Sequence, residues 1–142
     1  MAGRIWFQPY RLEDLGLQDG PHIGTHLGLR LTELGEDYLT GTLPVDHRTH
    51  QPIGILHGGA SVVLAETLGS VCSWLVVDPT THHGVGLEVN ANHLRSVRSG
   101  VVTGTCRPFH LGRSTHIWGI EIVDEDGKLV CISRLTVAVV PR

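Results

Sequence analysis

The residues best placed to do chemistry lie between Gln51 and Val77, in the stretch QPIGILHGGASVVLAETLGSVCSWLVV. Between Arg48 and Asp78 the single formally charged side chain is Glu66, histidines counted as neutral. An apolar segment of this length is expected to be buried, so a carboxylate in its middle must be paired, neutralised or used. His57, Gly58 and Gly59 precede the apolar run, where a helix would begin. A helix start leaves backbone N–H groups without internal partners and carries a positive dipole end. Glycines there let the oxygen of another molecule come close. Ser70 follows Glu66 by one helical turn, on the same face. A dipolar donor site followed by a lone carboxylate suits acyl-group chemistry. The N–H groups would stabilise the charge developing on a carbonyl oxygen, and the desolvated carboxylate would be basic enough to abstract a proton near neutral pH.

These groups need a helix to carry them, and the spacing predicts one over residues 59–77. Ala60, Val63, Leu64, Leu68, Val71 and Leu75 recur at three- and four-residue intervals, and Asp78-Pro79 stops the run. Being apolar nearly all round, this helix should be enclosed. Ahead of it, residues 9–18 read as a short helix ended by Gly20-Pro21, and Leu27, Leu29 and Leu31 alternate with Gly28, Arg30 and Thr32 as a strand. A turn at 35–37 leads into a strand over 38–45, completing a hairpin, and 46–55 is a polar loop. Four strands follow, at 85–92, 101–108, 116–123 and 129–140, the last two joined by an Asp-Gly turn. The fold class is therefore α+β in one domain over 1–142: a curved antiparallel sheet of about six strands wrapped around one long buried helix. Strands such as 129–140 are apolar on both faces, which implies a covering subunit and a homodimer at least.

Composition narrows the function. With 142 residues, 15.4 kDa, 41% hydrophobic and 18% charged residues, the chain is globular and long enough for one core. A net charge of −3 and a pI near 6.3 speak against a nucleic-acid binder. Cys72, Cys106 and Cys131 form no CxxC pair, so neither zinc nor a disulfide framework is indicated, and reduced thiols in a cytoplasmic protein are expected. The N-terminus lacks the apolar region of a signal peptide. Residues 53–77 are long enough to span a bilayer, but Glu66 at their centre argues against a membrane. Ten histidines include no HExxH, and His22, His26, His47 and His50 read as surface or loop residues, so no metal is expected. Ser61 lacks the G-x-S-x-G frame, and Gly84-Val85-Gly86 lacks the rest of a dinucleotide loop.

Four blocks taken in order, PVDHRTHQPIGILHGGASVVLAETLGSV, VGLEVNANHLRS, CRPFHLGR and IEIVDEDGKLVCISRLT, resemble the hot-dog-fold acyl-CoA thioesterases. The nearest branch contains the 1,4-dihydroxy-2-naphthoyl-CoA thioesterase of menaquinone synthesis and the aryl-carrier-protein proofreading thioesterase. The resemblance covers nearly all of 41–139. It implies that Glu66 is the catalytic carboxylate, as nucleophile or as general base toward water, and that the Gly58 N–H polarises the thioester carbonyl. Gln51 would help hold that carbonyl, His57 would orient the loop or the thioester, and Ser70 with His93 would position water. Coenzyme A contacts are implied at Gly86, at His93-Leu94-Arg95-Ser96, at His110-Leu111-Gly112-Arg113-Ser114-Thr115 and at Arg142. The positive charge after His110-Leu111-Gly112 sits here at Arg113, a slight departure from the relatives' pattern. No cofactor or metal is implied, coenzyme A being part of the substrate.

The reading is thus an acyl-CoA thioesterase for aromatic or other bulky acyl groups, with an acyl-CoA as substrate and an acyl- or aryl-carrier protein as a further candidate partner. The resemblance adds a homotetramer built as a dimer of dimers, with the active site between subunits. A hot-dog dehydratase and a non-catalytic acyl-CoA-binding module are the competitors, since fold alone does not decide between them. The acyl pocket is expected to be floored by Ile53, Ile55, Val63, Leu64, Thr67 and Leu68. Menaquinone synthesis, siderophore proofreading and aromatic-acid catabolism are all compatible with it.

Overall fold

Two paired glycines let the leucine-rich helix lie close against the sheet. A computed structural model of the chain describes residues 3–142. A turn of 3-10 helix (Leu12–Asp14) and a short helix α1 (Ile23–Leu27) precede strands β1 (Arg30–Leu34) and β2 (Leu39–Pro44). Helix α2 (Gly58–Val76) comes next, then β3 (His82–His93), β4 (Val101–Leu111), β5 (Thr115–Val123) and β6 (Leu129–Pro141). The sheet order is β1-β2-β4-β5-β6-β3, and every neighbouring pair is antiparallel. Helix α2 packs against β2, β3, β4, β5 and β6. Five strands about 4.8 Å apart are wider than one helix about 10–12 Å across, so a sheet touching it with all five has to curve. This is the hot-dog arrangement that the sequence leads one to expect.

Gly41 of β2 and Gly104 of β4 face each other in register. A Cβ at Gly41 would meet Leu68 Cδ2 at 3.0 Å, and one at Gly104 would meet Leu68 Cδ1 at 2.9 Å and Leu64 Cδ2 at 3.2 Å. Both leucines are fully buried. Burying each contributes roughly 1.5–3 kcal/mol, and the missing side chains make the trough that receives them.

The N-terminal quarter departs from expectation. The helix expected over 9–18 shrinks to Leu12–Asp14, with Gly16 at φ +65 just beyond it. Instead of a strand from Leu27, residues 23–27 form α1 and the strand begins at Arg30. Local hydrogen bonds decide this: the His22 N–H donates to Thr25 Oγ1 at 3.2 Å, and the Thr25 hydroxyl bonds the carbonyls of Gly20 (2.5 Å) and His22 (2.9 Å). Gly28 then closes the helix at φ +78, a conformation that favours glycine. Leu29 and Leu31 are buried as the alternation requires.

Helix α2 is only partly enclosed, which corrects the expectation of a fully covered helix. Leu64, Ala65, Leu68 and Cys72 have no exposed surface, whereas Val63, Glu66, Thr67 and Ser70 are half-buried and Trp74 is 47% exposed. Although α2 is long and apolar enough to cross a membrane, more than half of its residues are buried within the fold. Strand β3 is a sheet edge bearing exposed Val85 and Leu87, and Phe109 and Ile132 are also exposed.

Candidate active site

The start of α2 leaves one donor free. His57 is the N-cap, extended at φ −68 and ψ 130, and its Nδ1 accepts the Gly59 N–H at 2.8 Å. The Ala60 and Ser61 N–H groups bond the His57 carbonyl. Gly58 is the first helical residue, so its N–H has no carbonyl inside the helix, and among the described residues it has no other partner. A Cβ at Gly58 would come within 2.8 Å of His93 Nε2, so the imidazole at the end of β3 lies against this donor. Gln51 sits in the tight loop ahead, where its Oε1 accepts the Ile53 N–H and its amide NH₂ is left without a partner among the described residues. Further back, the Arg48 guanidinium grips Asp46 (Nη2 to Oδ2 2.7 Å) and holds that carboxyl well below the usual range.

Glu66 and Ser70 line a groove of about 470 Å³ on the open face of α2. Among the described residues Glu66 makes no ion pair and no hydrogen bond. Its Oε2 would lie 3.1 Å from a Cβ at Gly86, so the glycine in β3 gives the carboxylate its room. Strand β3 therefore runs back along the helix, with Gly84 beside Ser73, Gly86 beside Glu66 and His93 beside Gly58. Gly58 precedes Ser70 by twelve residues, about 18 Å of helix. Within one chain, Ser70 and His93 thus do not meet.

The remaining expected contacts divide into two groups. Leu94, Arg95 and Ser96 are exposed just past His93, and Arg95 and Ser96 share a small pocket with Asp124, Glu125 and Asp126. His110, Leu111, Gly112, Arg113, Ser114 and Thr115 form the β4–β5 turn, closed by Gly112 N–H to the Thr115 carbonyl (2.8 Å) and tied to the end of β6 by Val139 N–H to the Ser114 carbonyl (2.9 Å). Arg142 lies near that end, its Nε donating to the Pro79 carbonyl at 2.8 Å, in a pocket with His82 and His83. On β6 the first group abuts Cys131 and the second Ala138, seven residues or about 24 Å apart.

Below the groove, Ser73 joins two buried rings. Trp118 Nε1 donates to Ser73 Oγ at 2.7 Å, and Ser73 Oγ is 2.9 Å from His116 Nδ1. The hydroxyl accepts from tryptophan, and its second bond joins it to Nδ1, as donor or as acceptor according to the histidine tautomer. Burial, and next the charge of His110, hold His116 below the usual histidine value. All three cysteines are buried. Burial, and then a hydrogen bond with Cys106, push the Cys72 thiol up, so it is a poor nucleophile.

The groove wall differs from the expected one. Val63 and Thr67 line it, but Leu64 and Leu68 point to the sheet, and Ile53 is 71% exposed in its loop. The walls missed by sequence reasoning are Leu17, His22, Ile23, Leu29, Leu31 and Trp74. Trp74 was within reach: positions 66, 70 and 74 are successive i+4 steps along one helical stripe. The α1 residues were not, because they enter the wall only once the expected strand has become a helix.

Comparison with known proteins adds the following. Residues 53–131 match the family model described as the thioesterase superfamily. The chain is 50% identical over 135 residues to a 1,4-dihydroxy-2-naphthoyl-CoA hydrolase of Escherichia coli, covering 95% of this chain and 98% of the relative. It is 49% identical over 138 residues to the proofreading thioesterase EntH of Cronobacter turicensis, covering 95% and 98%. A crystal structure of a mutant of thioesterase PA1618 from Pseudomonas aeruginosa superposes with a TM-score of 0.94 at 54% identity, over 97% of this chain and 99% of that one.

Proposed function

The chain belongs to the thioesterase superfamily and is a thioester hydrolase of the hot-dog fold; from that premise we propose that it hydrolyses aromatic or other bulky acyl-CoA thioesters to the free acid and CoA, with Glu66 as the catalytic carboxylate. The observation that carries this reading is Glu66 itself, an unpaired carboxylate midway along an apolar helix, opening on a groove with Ser70 one turn away. The unpaired Gly58 N–H is the donor for the carbonyl oxygen, with His57 next to it in the chain and Gln51 seven residues earlier in the same loop. As general base, Glu66 takes a proton from water while the water oxygen bonds the carbonyl carbon. As nucleophile, its own oxygen forms that bond, and water then cleaves the resulting anhydride. In either route the tetrahedral intermediate collapses by breaking C–S, and the thiolate leaves without a strong general acid.

One carbonyl must lie about 3 Å from both the donor and the attacking atom. Gly58 and Glu66 are eight residues apart, about 12 Å along one helix. A glutamate side chain leaning toward the N-terminus does not close that gap. Taking the two groups from different chains brings them within reach of one carbonyl. Strand β3 offers the means, being an unpaired edge with Gly86 against Glu66 and His93 against Gly58. Two-fold antiparallel pairing of β3 with its copy, centred between Val89 and Asn90, sets Gly86 against the partner subunit's His93 and so Glu66 near the partner subunit's Gly58. The same pairing reunites Ser70 with the partner subunit's His93, the pair that would hold the water. A homodimer is then the smallest active unit, and we place it as half of a homotetramer in the cytoplasm.

The test is thiol release from a panel of aryl- and alkyl-CoAs, with one aryl-carrier-protein thioester, by wild type and by Glu66→Gln. Turnover of aryl-CoAs that falls by about 10²–10⁴-fold in the folded variant is expected. A wild type that binds these thioesters but hydrolyses none would overturn the proposal in favour of a binding module or a dehydratase.

A further inference from the structure

The two walls of the groove differ in chemistry. The α2 wall carries Glu66 and Ser70, already given roles, with Thr67 between them. The facing wall, from residues 17–31, is apolar at Leu17, Ile23, Leu29 and Leu31 and carries one ionisable side chain, His22. Nothing in the reaction described above uses it.

The backbone of His22 is fixed at the start of α1, and its side chain is exposed at the rim of the groove. Its backbone N–H is bound to the Thr25 hydroxyl, and its ring lies over Gly24, where a Cβ would come within 3.1 Å of both Nδ1 and Cε1. At most one ring nitrogen is used locally, in capping the first turn of α1. A neutral imidazole carries one donor and one acceptor nitrogen, so at least one of the two is free for a ligand. His22 is exposed in the free chain, so a purely apolar acyl group laid against it would take water from that nitrogen and give it no partner. When the acyl group brings a hydroxyl, the bond is replaced. A site built to bond a hydroxyl discriminates against the analogue lacking it, because its own polar group is then left unpaired.

We propose that His22 is a specificity-determining residue of this hydrolase, hydrogen-bonding a ring hydroxyl of an aryl thioester held between α1 and α2. The proposal rests on the reading of the groove as the acyl site of a thioesterase. A phenol both donates and accepts, so it matches whichever imidazole nitrogen faces it. The exposed indole of Trp74, in the same groove, supplies a flat surface for the ring.

The experiment compares kcat/KM for benzoyl-CoA and for 2-, 3- and 4-hydroxybenzoyl-CoA in wild type, His22→Leu and His22→Gln. Wild type should favour at least one hydroxylated isomer over benzoyl-CoA by about tenfold, in line with one hydrogen bond of usual strength. In His22→Leu that ratio should fall to near one, and His22→Gln, which retains a donor and an acceptor, should restore part of it. A wild type without preference, or a ratio preserved in His22→Leu while both substrates slow together, would overturn the role of His22. Hydrolysis of none of the four by wild type would instead overturn the acyl-site reading itself.

Discussion

Replacing Gly58 by proline removes the N–H at the start of α2. Proline is favoured at the first position of a helix, where its missing donor has no partner to lose. The residue before a proline must be extended, and His57 already sits at φ −68 and ψ 130. The ring carbons need room that His93 Nε2 now occupies at 2.8 Å, so the imidazole moves too, and His93→Ala is the control for that part of the loss. Gly58→Pro should therefore fold and lose about 10²–10³ in kcat, the usual cost of one oxyanion donor. The informative step is to mix it with Glu66→Gln. If each site takes Gly58 from one chain and Glu66 from the other, a mixed dimer has one site with both groups intact and one with neither. Random assortment makes half of all dimers mixed, so co-refolded variants should recover about a quarter of wild-type activity from two nearly inactive parents. Thiol release from an aryl-CoA, before and after co-refolding in equal amounts, reads this directly. Activity that stays at the mean of the two parents would refute the shared site and put donor and carboxylate on one chain.

Two further perturbations test what positions the site. Gly104→Ala places a methyl 2.9 Å from Leu68 and 3.2 Å from Leu64, neither of which can move. It should cost about 1–3 kcal/mol by overpacking, or roughly 3–10 °C in Tm. In a Leu68→Ala background the same methyl should instead stabilise, and calorimetry showing equal destabilisation in both backgrounds would exclude the contact as the cause. His116 tests the buried network through pH: its folded pKa is depressed by burial, so the unfolded chain binds that proton more readily. Its contribution to stability is present above about pH 6.5 and is lost as the pH falls from there through the folded value. Urea midpoints should drop more steeply below about pH 6.5 in wild type than in His116→Gln, and parallel curves would refute the assignment.

Much of this molecule was legible in the sequence because its signals were local and redundant. The run from Ala60 to Leu75 marks the helix, and the alternating strands that follow have no other helix to cover, so a wrapped sheet is the solution left. Glu66 was legible for the same reason, as a lone charge in apolar text, whereas the capping role of His57 came only with the structure. The N-terminal quarter was not. There, alternation at Leu27, Leu29 and Leu31 competed with the bonds of one threonine hydroxyl, and the hydroxyl decided residues 23–27.

The same competition explains why the pocket was misplaced. Periodicity tells which residues of α2 are apolar, but not which of its two apolar sides meets the sheet. The glycine pair at 41 and 104 settles that, drawing Leu64 and Leu68 inward and turning Val63, Glu66, Thr67 and Ser70 toward the groove. A helix with apolar residues all round but a sheet on one side must leave a face uncovered, and the carboxylate lies on that face. The open side of α2 and the edge of β3 have one explanation under the proposed homodimer: a second chain would complete both surfaces, with Gly58 of one chain and Glu66 of the other along the seam.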